Sequence, residues 1–199
     1  MSRAAPLSAP DRRANLLAAA RSVFAQRGYH SASVSDILEV AGVARGTFYN
    51  HFDSKRDVFS AVLAELMGEV LSGVAPIDVA QPIPEQVHAN LRGVLRAMAG
   101  TGDAVRILFT DALSVDREGE EALAAFYTVA LERVERALKL GQAMGVVREG
   151  ETRQTARCLL GLLKEPVMQA ALAHEPLEAE ALADAIYGLL VAGVLRREA

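Results

Sequence analysis

Apolar positions along the chain recur at three- and four-residue intervals, and no alternating strand pattern holds over a convincing length. From Asp11, which suits an N-cap or first-turn acid, Leu16, Ala20, Val23, Phe24 and Arg27 follow helical spacing until Gly28 ends the run. Ser33 precedes a short helix over 34–40, and Asp36, three residues on, completes the pattern of a capping box. Ala41-Gly42-Val43 interrupts that helix, and Gly42 suits the left-handed backbone of a tight helix end. A second short helix is predicted from 44 or 45 to 51. Asp53 or Ser54 then caps a longer one over 55–70. After a proline-bearing boundary at 76–84, helices are predicted over 85–99, 103–113, 119–144, 151–173 and 177–197. Pro166 removes a bond to the Leu162 carbonyl and is expected to bend the helix that contains it. The fold class is therefore all-α: an N-terminal three-helix helix-turn-helix head on a larger helical body. The expected divisions are a flexible tail at 1–10, the head at 11–58 and the body at 59–199.

Composition narrows the function. The 199 residues are 51 % hydrophobic and 23 % charged, which fits a packed globular protein. A single cysteine, Cys158, excludes an intramolecular disulfide and a thiolate zinc cluster and points to the cytoplasm. It lies in an apolar run and reads as a core residue. The uncharged run at 185–195 is eleven residues, about half of what a membrane span needs. No phosphate-binding loop, dinucleotide fingerprint or nucleophile elbow is present. One Glu-x-x-His pair, Glu85 and His88, has no second copy to build a di-iron site, so neither a metal nor a cofactor is expected and the chain does not read as an enzyme. Net charge is −4, unevenly spread: residues 1–60 carry +3 and the remainder −7. A mildly basic head on an acidic body suits a DNA reader with a separate sensing or assembly region. The acidic whole is equally the one feature that favours a helical adaptor no longer bound to DNA.

The informative stretch is 33–55, SVSDILEVAGVARGTFYNHFDSK. Two short helices around a glycine turn make a helix-turn-helix unit. Ile37, Ala41, Val43, Phe48 and Phe52 would lock it together and onto the first helix. That leaves Arg45, Gly46, Thr47, Tyr49, Asn50 and His51 on the outer face of the second helix, rich in donors and free of carboxylates. Such a face suits a major groove lined with acceptors. Arg45 can reach a guanine edge, Thr47 a thymine methyl or a phosphate, and Gly46 lets backbone approach the duplex. Tyr49 and His51 are expected at phosphates, as is Lys55 at the start of the next helix. Ser33 completes the candidate set.

The spacing of Asp36, Ile37, Ala41, Gly42, Val43, Gly46, Thr47, Phe48, Tyr49, His51, Phe52, Ser54 and Lys55 resembles the DNA-binding head of the TetR family of transcriptional regulators. The preceding AARSVFAQRGYHSASV, 19–34, resembles the family's first helix and turn. Two positions depart. Ala44 stands where the family often has Ser, which loses a side-chain cap worth ~1 kcal/mol, and Leu38 replaces a small residue. The resemblance implies a homodimer on double-stranded, palindromic DNA, released by a small-molecule effector of unknown identity, with no membrane partner and most often acting as a repressor. It also implies an interface from the last two helices, where Leu159, Leu163, Val167, Ile186, Leu189, Leu190 and Val194 are the candidates. Pocket candidates are Met67, Leu71, Leu95, Met98, Phe109, Leu113, Phe126, Tyr127 and Met168.

Overall fold

The computed structural model describes residues 9–100, 117–173 and 175–193, which are all-α with no strand among them. The order is α1 (Ala9–Ser31), α2 (Val34–Ala41), α3 (Arg45–Tyr49), α4 (Lys55–Ser72), α5 (Ile83–Gly100), α6 (Arg117–Ala143), α7 (Thr152–Ala173) and α8 (Ala179–Gly193). The helix expected at 103–113 lies outside the described residues, as does most of the expected tail.

Local chemistry explains the head. Gly28, at φ 72° and ψ 161°, breaks α1 before a final turn. Ser33 caps α2 by accepting from the Asp36 amide while the Asp36 carboxylate accepts from the Ser33 amide. Gly42 ends α2 in the left-handed region, at φ 65°. α3 is shorter than the spacing predicts. Ala44 gives it no side-chain cap, and Asn50 already closes it.

Leu16, Phe24, Ile37, Phe48 and Phe59 are fully buried. Phe24 and Phe59 meet edge to face at 5.1 Å, and Tyr29 lies 4.6 Å from Phe59. The same apolar core continues through Val62, Leu66 and Val70 of α4 to Leu95 of α5 and Ile186 of α8. α4 is thus packed in both head and body. Arg21 of α1 grips Glu69 of α4 through two hydrogen bonds, at 2.7 and 3.1 Å, which tie the two helices together.

α5 and α8 pack side by side and are sewn together by charge. Arg92 reaches Glu180 and Asp184, both at 3.1 Å, and Arg96 reaches Glu180. His88 stacks on Tyr187 at 4.4 Å and places Nε2 2.7 Å from Asp184. Hydrogen bonds from Arg92 and then His88 hold the Asp184 carboxyl below its ordinary 3.8. A lowered folded value stabilises above the unfolded value, and that stabilisation is lost as pH falls through the folded one. Asp184→Asn should therefore flatten the fall of melting temperature below about pH 4. An acid limb as steep as the parent's would assign the effect to other depressed carboxyls such as Asp36 and Glu135.

One expectation needs correction: Cys158 is exposed, because α7 turns that side of its apolar run outward. Pro166 lies inside α7, which runs on to Ala173. Among the described residues, no helix is long and apolar enough to cross a membrane.

Candidate nucleic-acid interface and effector cavity

On α3, Phe48 is fully buried and fastens the helix, while Arg45, Gly46 and Tyr49 are exposed and Thr47 is half-buried. Asn50 is exposed and His51 half-buried in the turn that follows. The Arg45 guanidinium lies 5.7 Å from the centre of the Tyr49 ring, so the two present one surface. Position is set from behind. Asn15 of α1 donates to the Ala41 carbonyl at 2.9 Å, and Arg13 lies over Phe52 at 5.2 Å. Sequence reasoning missed both, because each joins residues far apart in the chain.

Two candidates are committed elsewhere. The Ser33 hydroxyl serves the α2 cap, bonding Asp36 at 2.7 Å. Those Ser33 bonds, helped by Arg27, hold the Asp36 carboxyl below the usual carboxylate range. Lys55, expected at a phosphate, donates to the Tyr29 and Ala32 carbonyls at 2.8 and 2.9 Å and lies 4.3 Å from the centre of the Tyr29 ring. Its ammonium closes the chain end that Gly28 opens, a contact invisible in local sequence.

In the body a cavity of about 670 Å³ opens between α4, α5, α6, α7 and α8, within the size range of small-molecule sites. Of the pocket candidates, Leu71, Met98, Phe126 and Tyr127 line this cavity. Leu95 is instead fully buried in the core, and Met67 and Met168 pack against that core. Phe109 and Leu113 lie outside the described residues. The walls are mostly aliphatic, and the stretch after α4, Val74 to Ile77, forms one side. Arg133, Arg136, Lys164 and Asn90 supply polar groups, and among the described residues none that lines it is Asp or Glu. Lys164 Nζ lies 5.9 Å from the centre of the Tyr127 ring, and burial pushes the Tyr127 hydroxyl up to about 12.

The interface candidates divide. Val167, Ile186 and Leu190 are buried in the chain's own core, so they are corrected to core residues. Leu159 and Leu163 line the cavity. Leu189 is exposed, and Val194 lies outside the described residues. The outward faces carry Gly161, Leu162 and Leu172 on α7, with Ala181, Ala185 and Gly188 beside Leu189 on α8.

Residues 16–62 match the family model of bacterial regulatory proteins, tetR family. Over 64 residues, 32 % of this chain, the sequence is 44 % identical to the HTH-type transcriptional activator FasR of Mycolicibacterium smegmatis; the matched stretch is 29 % of that relative. Over 181 residues it is 24 % identical to the fatty acid metabolism regulator protein of Bacillus subtilis, covering 90 % of this chain and 93 % of that one. FadR from Bacillus halodurans shares the fold with a TM-score of 0.80 at 24 % identity, over 96 % of this chain and 98 % of that one. FadR from Bacillus subtilis, solved in complex with stearoyl-CoA, does so with a TM-score of 0.77 at 24 % identity, over 90 % and 98 %.

Proposed function

We propose that this chain, a member of the TetR family of transcriptional regulators, acts as a cytoplasmic homodimeric repressor. α3 of each protomer reads one half of a palindromic operator, and an effector in the body cavity releases it. The observation that carries DNA reading is the exposed Arg45, Tyr49 and Asn50 on and just after a carboxylate-free helix that Phe48 anchors from behind. The head spans 11–58 in this reading, with Lys55 and Ser33 as positioning residues. Repression follows from a dimer seated across a promoter. The activator FasR is matched over 64 residues, 32 % of this chain, too short a stretch to set the sign of regulation.

Effector release rests on the cavity, whose wall includes the last turn of α4 and the chain just beyond it. The FadR of Bacillus subtilis holds stearoyl-CoA. The aliphatic walls here suit a long acyl chain in the same way.

Selection of duplexes from a random pool tests the reading. It should return a palindrome with half-site centres one turn, ~34 Å, or a multiple of that apart. Arg45→Ala should then lose ~1–3 kcal/mol of discrimination at one base pair per half-site, with a nearly unchanged salt dependence elsewhere. A pool that yields no enriched duplex refutes DNA reading, and an Arg45→Ala protein with the parent's preferences refutes the assignment of that residue.

A further inference from the structure

We propose that Arg133 is a latch between effector and lever: an anionic head group on the effector draws its guanidinium away from the end of α4. The idea rests on the cavity being the effector site. α4 has no basic residue in its last turn, so it lacks a cation of its own at its negative end. Arg133 of α6 supplies one, donating from Nη1 to the Leu71 carbonyl at 3.2 Å. The same carbonyl accepts from the Val74 amide at 3.4 Å, a long bond that the guanidinium reinforces.

Arg133 also lines the cavity, together with Leu71, Arg136 and Lys164. Of the two acids beside it on α6, Glu132 and Glu135, the second is taken by Lys139 and Arg153. Among the described residues Arg133 forms no ion pair with a carboxylate. A guanidinium bonds a carboxylate or phosphate about twice as strongly as a neutral carbonyl, and often with two bonds. An apolar molecule with an anionic head therefore fills the aliphatic walls and takes Arg133 from Leu71. A neutral amphiphile of the same length gains the apolar contact and leaves the latch closed. Only the first has a differential affinity for the two states, which is what moves an equilibrium. The Arg21–Glu69 pair and the Lys55 clamp then carry a shift at the end of α4 toward the head.

Hydrogen exchange over residues 66–75 of the full chain tests this, with binding followed by calorimetry. The probes are dodecanoyl-CoA, dodecanoate and 1-dodecanol, whose heads are phosphate-bearing, carboxylate and neutral. Both anionic probes, or whichever of the two is the true head chemistry, should speed exchange on the order of tenfold, as expected for loss of a charged hydrogen bond. Bound dodecanol should not. Arg133→Gln should exchange fast without any probe and respond no further when an anionic probe binds. Arg136→Gln should weaken anion binding while exchanging like the parent when free. Equal acceleration by dodecanol and the anions, or a free Arg133→Gln chain that exchanges like the parent, overturns the latch and leaves the effector site standing. If none of the probes binds, the acyl reading of the cavity falls and the latch falls with it.

Discussion

On the proposed homodimer and operator, Leu189→Glu should give a monomer in sedimentation and lower operator affinity on the order of 10²–10⁴-fold, because the second head then no longer binds as an intramolecular event. Leu189 is 57 % exposed on α8, in a strip with Ala181, Ala185 and Gly188. α7 adds Leu162 and a 65 % exposed Leu172. Within the chain, a Cβ added at Gly161 or Gly188 would meet nothing within 4 Å. Their small size is thus not needed by the chain's own packing, and it leaves the outer face smooth enough for a second pair of helices. A carboxylate at the centre of that face must be buried unpaired or keep the protomers apart, and separation is the less costly outcome. Since Leu189 makes little of the protomer core, the variant should remain folded, with helical circular dichroism like the parent's. Leu190→Ala is the contrasting case. That side chain is 6 % exposed and inward, so its loss should cost roughly 2–5 kcal/mol of folding stability. A Leu189→Glu protein that still sediments as a dimer would place the interface elsewhere.

Gly93→Ala should destabilise by about 3 kcal/mol or more, beyond the usual cost of an extra methyl, because its neighbour is backbone and cannot rotate away. The C-cap of α4 and the middle of α5 cross at Gly73 and Gly93. A Cβ on Gly73 would lie 2.8 Å from the Gly93 carbonyl carbon and oxygen, and one on Gly93 would sit on the Gly73 carbonyl itself. Space is the constraint at Gly73, whose φ of −66° any residue adopts. Val74 and Val94, the residues after each glycine, both line the cavity, so forcing the helices apart also distorts that cavity. Gly68→Ala in α4 is the control. Nothing lies within 4 Å of its added Cβ, and alanine should gain up to about 1 kcal/mol there from helix propensity. Denaturant melts should therefore move in opposite directions for the two substitutions. Equal midpoints would mean that the crossing gives way more easily than backbone contact allows.

The head was legible because its rules act over a few residues. Ser33 with Asp36 spells a capping box, Gly42 a left-handed helix end, and Ala44 a missing cap, and each is found as read. Ile37, Phe48 and Phe52 recur at helical spacing and are buried, which leaves Arg45 and Tyr49 outside. Over the body the same periodicity identifies helices but not their neighbours. Burial of apolar area has no direction, so a leucine or valine on α7 or α8 reads alike whether it fills the core, as Val167 does, lines the cavity, as Leu163 does, or stands outside, as Leu189 does. Cys158 was misread for that reason, as were Ile186 and Leu190. Arg133 on Leu71, Lys55 on Tyr29 and Gly73 against Gly93 are meetings of residues 20 to 62 positions apart. Local pattern specifies which helices form and which faces are apolar; which face meets which exists only once the helices have packed.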